Sequence, residues 1–202
     1  MFGSIHLKIV QAISRKKQGE LIFPSDFKKI GNQNVIKTTL HRLCRKKLID
    51  RLAPGIYIIP RHDPVLGNIC PSLEEIAYAI ANRDKARIMP SGAYALNKLG
   101  LSTQVPTKLV YLTDGAPRQI KIGNRTIKFK ATIPKKLITK GEISGLVIQA
   151  LSELGPGGVA PNLELKLKIA LQKECISNIK HDAQLAPAWI AEKLYALVEL
   201  DY

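Results

Sequence analysis

Apolar positions along the chain follow two rhythms, a helical one at both ends and an alternating one in between. In "SIHLKIVQAISRKKQGE" (4–20), Ile5, Ile9, Ala12 and Ile13 recur at i, i+4, i+7 and i+8, which predicts an amphipathic helix. Ser4 is placed to cap it, Arg15, Lys16 and Lys17 fill its last turn, and Gly19 ends it. "LIF" then reads as a short extended piece. "PSDFKKIG" (24–31) reads as a brief helix with Phe27 and Ile30 inward and Gly31 as its C-terminal turn residue. After the N-capping run "NQN", the stretch "NVIKTTLHRLCRKKLI" (34–49) predicts a second amphipathic helix. Ile36, Leu40, Leu43 and Cys44 form its apolar face, and Asn34, Thr38, His41, Arg42 and Arg45 lie opposite, with Lys37 and Lys46 at the flanks. "DRLAPGIYIIPR" (50–61) follows as a hairpin about Pro54-Gly55. Helix, short helix, glycine turn, basic helix and hairpin is the order of a winged helix-turn-helix.

The pattern changes after residue 62. "HDPVLGNICP" reads as a connector between a domain at 1–62 and a second at 72–202. Ser72-x-x-Glu75 predicts a capping box opening a helix, and "SGAYALNKLGL" a further helix closed by Gly100. "TKLVYLTDG" predicts a strand. "RQIKIGNRTIKFKA" (118–131) predicts an antiparallel hairpin about Gly123-Asn124, with Ile120, Ile122, Ile127 and Phe129 on the inner face and Lys121, Lys128 and Lys130 outside. From about residue 142 the period is helical again, in "KGEISGLVIQALSELG", "PNLELKLKIALQKE" and "APAWIAEKLYALVEL". The expected class is α+β: a winged helix-turn-helix, then a mixed α/β domain with a helical C-terminal tail.

Charge adds direction to this outline. The 202 residues carry 31 Lys+Arg against 16 Asp+Glu, a formal net charge of +15. Residues 1–62 hold 13 of the bases and only three acids, Glu20, Asp26 and Asp50. Such a balance suits a polyanion, by composition nucleic acid or an anionic membrane. No apolar run approaches the ~18 residues of a spanning helix, and the N-terminus lacks the features of a secretory signal. The expectation is a cytoplasmic protein without a membrane role. Cys44, Cys70 and Cys175 are odd in number and far apart, and the four histidines are scattered, so neither a disulfide framework nor a metal site is expected.

Lysine-rich helices are commonly just solvated faces. In the 34–49 helix, however, five of sixteen residues are Lys or Arg and the stretch itself holds no acid to pair with them, Asp50 standing just beyond it. Gln33 and Asn34 would meet the DNA groove at the helix N-terminus, with Lys37, Thr38, His41 and Arg42 projecting along it. Arg45, Arg51 on the first wing strand and Arg61 at the wing's end suit phosphates. The lysine face of the 118–130 hairpin reads first as a solvated outer strand face with Lys at an edge, and second as a further nucleic-acid or partner surface. An enzyme has little support. Asp114 with Glu164-x-Lys166 is the nearest approach to a metal-nuclease set, but the residues are far apart in sequence. "GPGGVAP" lacks the Gly-Lys-Ser/Thr end of a phosphate loop. No catalytic residue and no cofactor is expected.

The segment "FPSDFKKIGNQNVIKTTLHRLCRKKLIDRLAPGIYIIP" resembles the N-terminal winged helix of AbiEi-type antitoxins, with Leu40-x-x-Leu43, a basic turn, Arg51-Leu52 and "GIY". "PSGAYALNKLGLSTQVPTKLVYLTDG" and "RQIKIGNRTIKFK" are similar to the second domain of a branch of that family, most tellingly from Tyr94-Ala95-Leu96-Asn97 to Tyr111-Leu112-Thr113-Asp114-Gly115. The likeness extends to about residue 133, and the helical tail departs from it. It implies the antitoxin of a type IV, abortive-infection toxin–antitoxin pair. Its partners would be double-stranded DNA of its own promoter, as monomer or dimer, and a nucleotidyltransferase-like toxin, often without a stable complex. The alternative is a winged-helix regulator whose second domain binds a ligand or dimerises.

Overall fold

A computed structural model describes residues 4–65 and 67–198. The chain is mixed α+β and divides into two compact units, Met1–Ala79 with Lys121–Gly123, and Ile80–Ile120 with Asn124–Tyr202.

The first unit opens with α1 (Ile5–Ser14), whose N-terminus is capped by Ser4 Oγ accepting from the Leu7 amide at 3.3 Å. Strand β1 (Leu21–Ile22) leads to a 3-10 turn at Pro24–Phe27, and α2 spans Gln33–Arg45. The turn is held by Asp26, whose carboxylate accepts from the Phe23 amide at 3.0 Å. Asn32 caps α2 by accepting from the Val35 amide at 2.9 Å. Strands β2 (Asp50–Ala53) and β3 (Ile56–Ile58) follow. All three strands form one antiparallel sheet in the order β1-β3-β2, with Leu21 opposite Ile58 and Arg51 opposite Tyr57. Ile9, Ile13, Ile22, Phe27, Ile36, Leu40, Leu43, Ile49 and Tyr57 make a single core between helices and sheet. Each such side chain, fully buried, stabilises the unit by ~1.5–3 kcal/mol.

Gly31 is needed for a different reason from the one its position suggests. Its φ is not left-handed; instead a Cβ there would lie 2.6 Å from Ile5 Cγ2, so only glycine lets the turn approach α1 this closely. The buried face of α2 is Ile36, Thr39, Leu40 and Leu43, with Cys44 half-buried. At about 100° per residue, Thr39 falls nearer the centre of the stripe than Cys44 does.

Residues 61–69 are not a plain connector. They form β4 (Arg61–Asp63) and β5 (Gly67–Ile69), an antiparallel pair with Arg61 opposite Ile69. Arg61 therefore sits on β4 and not at the end of the wing strand. Helix α3 (Leu73–Asp84) opens with the expected capping box, Glu75 N–H to Ser72 Oγ at 3.1 Å and Ser72 N–H to Glu75 Oε2 at 2.7 Å. The division between the two units falls within this helix.

The second unit contains β6 (Ile88–Pro90), α4 (Ala93–Lys98), β7 (Lys108–Thr113), β9 (Arg125–Ala131) and, up to Ile120, β8 (Arg118–Ile122). Their sheet runs β6-β7-β9-β8, with β6 antiparallel and β9 parallel to β7. The alternation in the hairpin holds in part: Ile127 and Phe129 are buried, Ile120 and Ile122 half-buried, and Lys121 and Lys130 exposed, but Lys128 is half-buried and not fully on the outer face. A 3-10 turn at Pro134–Leu137 precedes α5 (Glu142–Leu154), α6 (Pro161–Leu171), α7 (Ile176–Ala183) and α8 (Ala188–Val198). These four helices share a core that includes Val147, Leu151, Leu167, Ile179, Ile190 and Leu194. Helix α7 has no counterpart in the sequence pattern. The last two positions of the predicted terminal helix, 199–200, lie outside the described residues.

Candidate nucleic-acid interface

With Ile36, Thr39, Leu40 and Leu43 held in the core, the rest of α2 is committed to the surface. Gln33, Asn34, Lys37, Thr38, His41, Arg42 and Arg45 are all exposed. Lys37 and Arg42 lie at opposite flanks of this face, and Asn34, His41 and Arg45 near its centre. Arg51 is exposed on β2 and Arg61 on β4, where its aliphatic stem passes 3.8 Å from the position a Gly19 Cβ would take. The structure thus brings seven of the nine candidate residues onto one helix and leaves two on separate strands of the same unit.

Glu20 and Asp26 are engaged away from that face. Glu20 is engaged by the Lys16 ammonium, which holds its carboxyl below the ordinary value, and it accepts from the Lys17 amide at 3.0 Å. Asp26 is spent on the 3-10 turn. Among the described residues, none of Lys37, Arg42, Arg45, Lys46, Lys47, Arg51 and Arg61 forms an ion pair. The first turn of α2 carries no acid either, so the partial positive charge of its N-terminus adds to the field.

Two features were not legible as candidates. His6, Arg42, Arg45 and Lys46 line an open groove of about 360 Å³. His6 Nδ1 is buried there without a hydrogen-bond partner. Only the packing of α1 beside α2 brings His6 to those cations, and no local spacing announces it. The second feature is the end of α2. Lys47 takes φ 56°, with its amide donating to Cys44 O at 2.9 Å and the Leu48 amide to Leu43 O at 3.1 Å. That is a Schellman termination with lysine where glycine is usual.

The residues weighed for hydrolysis are engaged elsewhere. Asp114 accepts from the Arg87 amide and guanidinium, both at 2.8 Å, and this contact lowers its carboxyl. Glu164 pairs with Lys193. Among the described residues no group of three or more His, Cys, Asp or Glu could hold a metal ion, and no helix is long and apolar enough to cross a membrane.

The chain belongs to DUF6088, a family of unknown function, whose profile matches residues 8–179. A comparison with curated protein sequences gives no match. Among solved structures, the RV2827C protein from Mycobacterium tuberculosis aligns with a TM-score of 0.45 and 13% identity, covering 98% of this chain and 83% of that one.

Proposed function

We propose that the N-terminal unit is a winged helix-turn-helix that binds double-stranded DNA through α2, and that the protein represses its own promoter. The observation that carries this reading is the exposed face of α2, with its cations unpaired and its opposite side fixed in the core. The element order supports it: α1, the 3-10 turn and α2 stand where the helices of such a domain stand, and β2–β3 where its wing does. Gln33 and Asn34 meet the groove first, Thr38 and His41 lie along it, and Arg45 with the flanking Lys37 and Arg42 reach guanine edges or phosphates. Arg51 and Arg61 grip the backbone.

The test is binding of the full chain to DNA upstream of its own gene, measured by fluorescence anisotropy over a salt series. Affinity should fall steeply with salt. Arg42→Ala should weaken binding tenfold or more, at unchanged melting temperature, for a lost contact of ~1–3 kcal/mol. Equal affinity of the variant and the parent overturns the assignment of α2.

The further role of antitoxin against a nucleotidyltransferase-like toxin is supported by the sequence resemblance described above. Co-expression with the neighbouring reading frame tests it. Rescue from a toxic neighbour supports the antitoxin; a harmless neighbour leaves a promoter-binding regulator.

A further inference from the structure

The groove beside α2 joins two helices. Arg42, Arg45 and Lys46 line it from the C-terminal end of α2, and His6 lines it from the first turn of α1. Cations at a helix C-terminus have an ordinary explanation, since they complement the partial negative charge of that end. Here the carbonyls of that end are already engaged. Arg42 O accepts from the Lys46 amide at 3.1 Å, Leu43 O from the Leu48 amide at 3.1 Å, and Cys44 O from the Lys47 amide at 2.9 Å. Among the described residues the side chains of Arg42, Arg45 and Lys46 form no ion pair. Helix complementarity accounts for their charge but not for the enclosure of that charge by a second helix.

His6 supplies an independent observation. Its Nδ1 is buried and, among the described residues, has no hydrogen-bond partner. A neutral imidazole carries one N–H and one bare nitrogen, and an unpaired N–H is the rarer of the two in an interior. The proton therefore belongs on Nε2. With Nδ1 enclosed, the edge that His6 turns to the groove is the one bearing Nε2–H, and among the described residues no side chain accepts from it. The groove thus gathers donors from both helices, and no acid of the described residues lines it. Its volume of about 360 Å³ is many times the ~30 Å³ share of one water, which leaves room for a tetrahedral anion with part of its hydration shell.

We propose that this groove seats one phosphate group, which in the complex proposed above is a phosphate of the DNA backbone. Arg42, Arg45 and Lys46 supply the opposite charge, and His6 Nε2–H donates to one phosphate oxygen. The cations attract without fixing a position; the neutral imidazole fixes where the phosphate sits and extends the DNA contact from α2 to α1. The assignment to DNA rests on the proposed function, whereas the phosphate chemistry of the groove does not.

The full chain, with its histidines isotope-labelled for NMR, should be titrated with inorganic phosphate against sodium chloride at constant ionic strength, and separately with the promoter duplex. Both should move the His6 imidazole signals saturably, and phosphate should compete with the duplex beyond the effect of chloride. His6→Leu should remove the phosphate response and weaken duplex binding about tenfold, the worth of one hydrogen bond to a charged group. Its salt slope should equal the parent's, because a neutral donor releases no counterion. Its melting temperature should stay at or above the parent's, because the unpaired nitrogen is gone. His6→Gln, whose side-chain amide can stand in for Nε2–H, should keep most of the affinity. The proposal is overturned if phosphate moves no His6 signal, if His6→Leu binds like the parent, or if His6→Gln loses as much as His6→Leu. A duplex that binds without moving the His6 signals overturns the assignment to the backbone. Failure of the DNA reading itself looks different: no duplex binds, while phosphate still moves His6. If Arg42→Ala loses the duplex and His6→Leu does not, α2 keeps its role and the seat falls.

Discussion

Lys47 and Lys85 both hold left-handed backbone at the ends of helices, at φ 56° and 55°, a conformation that disfavours any residue with a Cβ by ~1–2 kcal/mol. At both sites the two hydrogen bonds of the Schellman motif are present, for Lys85 its own amide to Asn82 O and the Ala86 amide to Ala81 O. Replacing either lysine by glycine should stabilise the chain by about 0.5–1 kcal/mol, because glycine's greater freedom in the unfolded state offsets part of the relief. The two should differ in DNA binding. Lys47 follows the basic face of α2, so Lys47→Gly should also lower the slope of log K against log salt by about one. Lys85→Gly, in the second unit, should leave that slope alone. Identical slopes for the two variants would remove Lys47 from the interface. Cysteine chemistry gives a second residue-scale contrast. Cys175 is exposed at the N-cap of α7, where the Ser177 hydroxyl and backbone amide hold its thiol below the ordinary value. Burial pushes the Cys44 thiol up. Iodoacetamide at pH 7.5 should therefore label Cys175 well before Cys44, as read by peptide mass mapping.

At the scale of elements, the approach of α1 to the turn before α2 depends on Gly31. Gly31→Ala places a methyl group against Ile5 Cγ2 and should cost about 1–3 kcal/mol by overpacking. Ile5→Ala removes the obstructing atoms, so the double variant should recover most of that loss. Denaturant melts of the four proteins close the cycle, and simple additivity would mean that the clash is not the cause. The same region shows how far the sequence could be read. Ser4, the capping box at Ser72 and Glu75 and the polar face of α2 were legible because each depends on residues within one helical turn of each other. Thr39 takes the place of Cys44 in the buried stripe because angular position on the helix, and not residue type, decides which side chain faces the core. Strands β4, β5 and β6 are three residues each, too short for a periodicity, and are defined by pairing instead. The grouping of His6 with Arg42, Arg45 and Lys46 arises from packing between elements and has no local signature.

For the molecule as a whole, residues 1–62 hold 13 bases against three acids, while the most consequential buried charge lies in the second unit. Asp182, fully buried on α7, accepts from the Lys140 and Gly141 amides at 2.8 and 2.9 Å, from Ser144 Oγ and from His181 Nδ1. It thereby caps the start of α5 from about 40 residues away, a long-range contact that also explains why α7, whose sequence shows no strong period, is fixed in place. Burial alone would raise the Asp182 carboxyl; the hydrogen bonds from Ser144, His181 and the two amides outweigh it, and the net shift is downward. A carboxyl depressed in the folded state binds its proton more readily when unfolded. Its contribution is therefore fully present above the ordinary carboxylate range, near pH 4, and is lost as pH falls from there through the depressed folded value. The surface carboxylates lowered by Lys16, Arg83 and Arg87 act in the same direction but are screened by salt. Asp182→Asn should accordingly cost about 1.5–3 kcal/mol at pH 7, the worth of hydrogen bonds to a charged group. It should also flatten the fall of melting temperature between pH 5 and pH 3, in 0.5 M salt as well as at low salt. If the variant and the parent lost stability in parallel over that range at high salt, the acid sensitivity would belong to the surface pairs and not to the buried cap of α5.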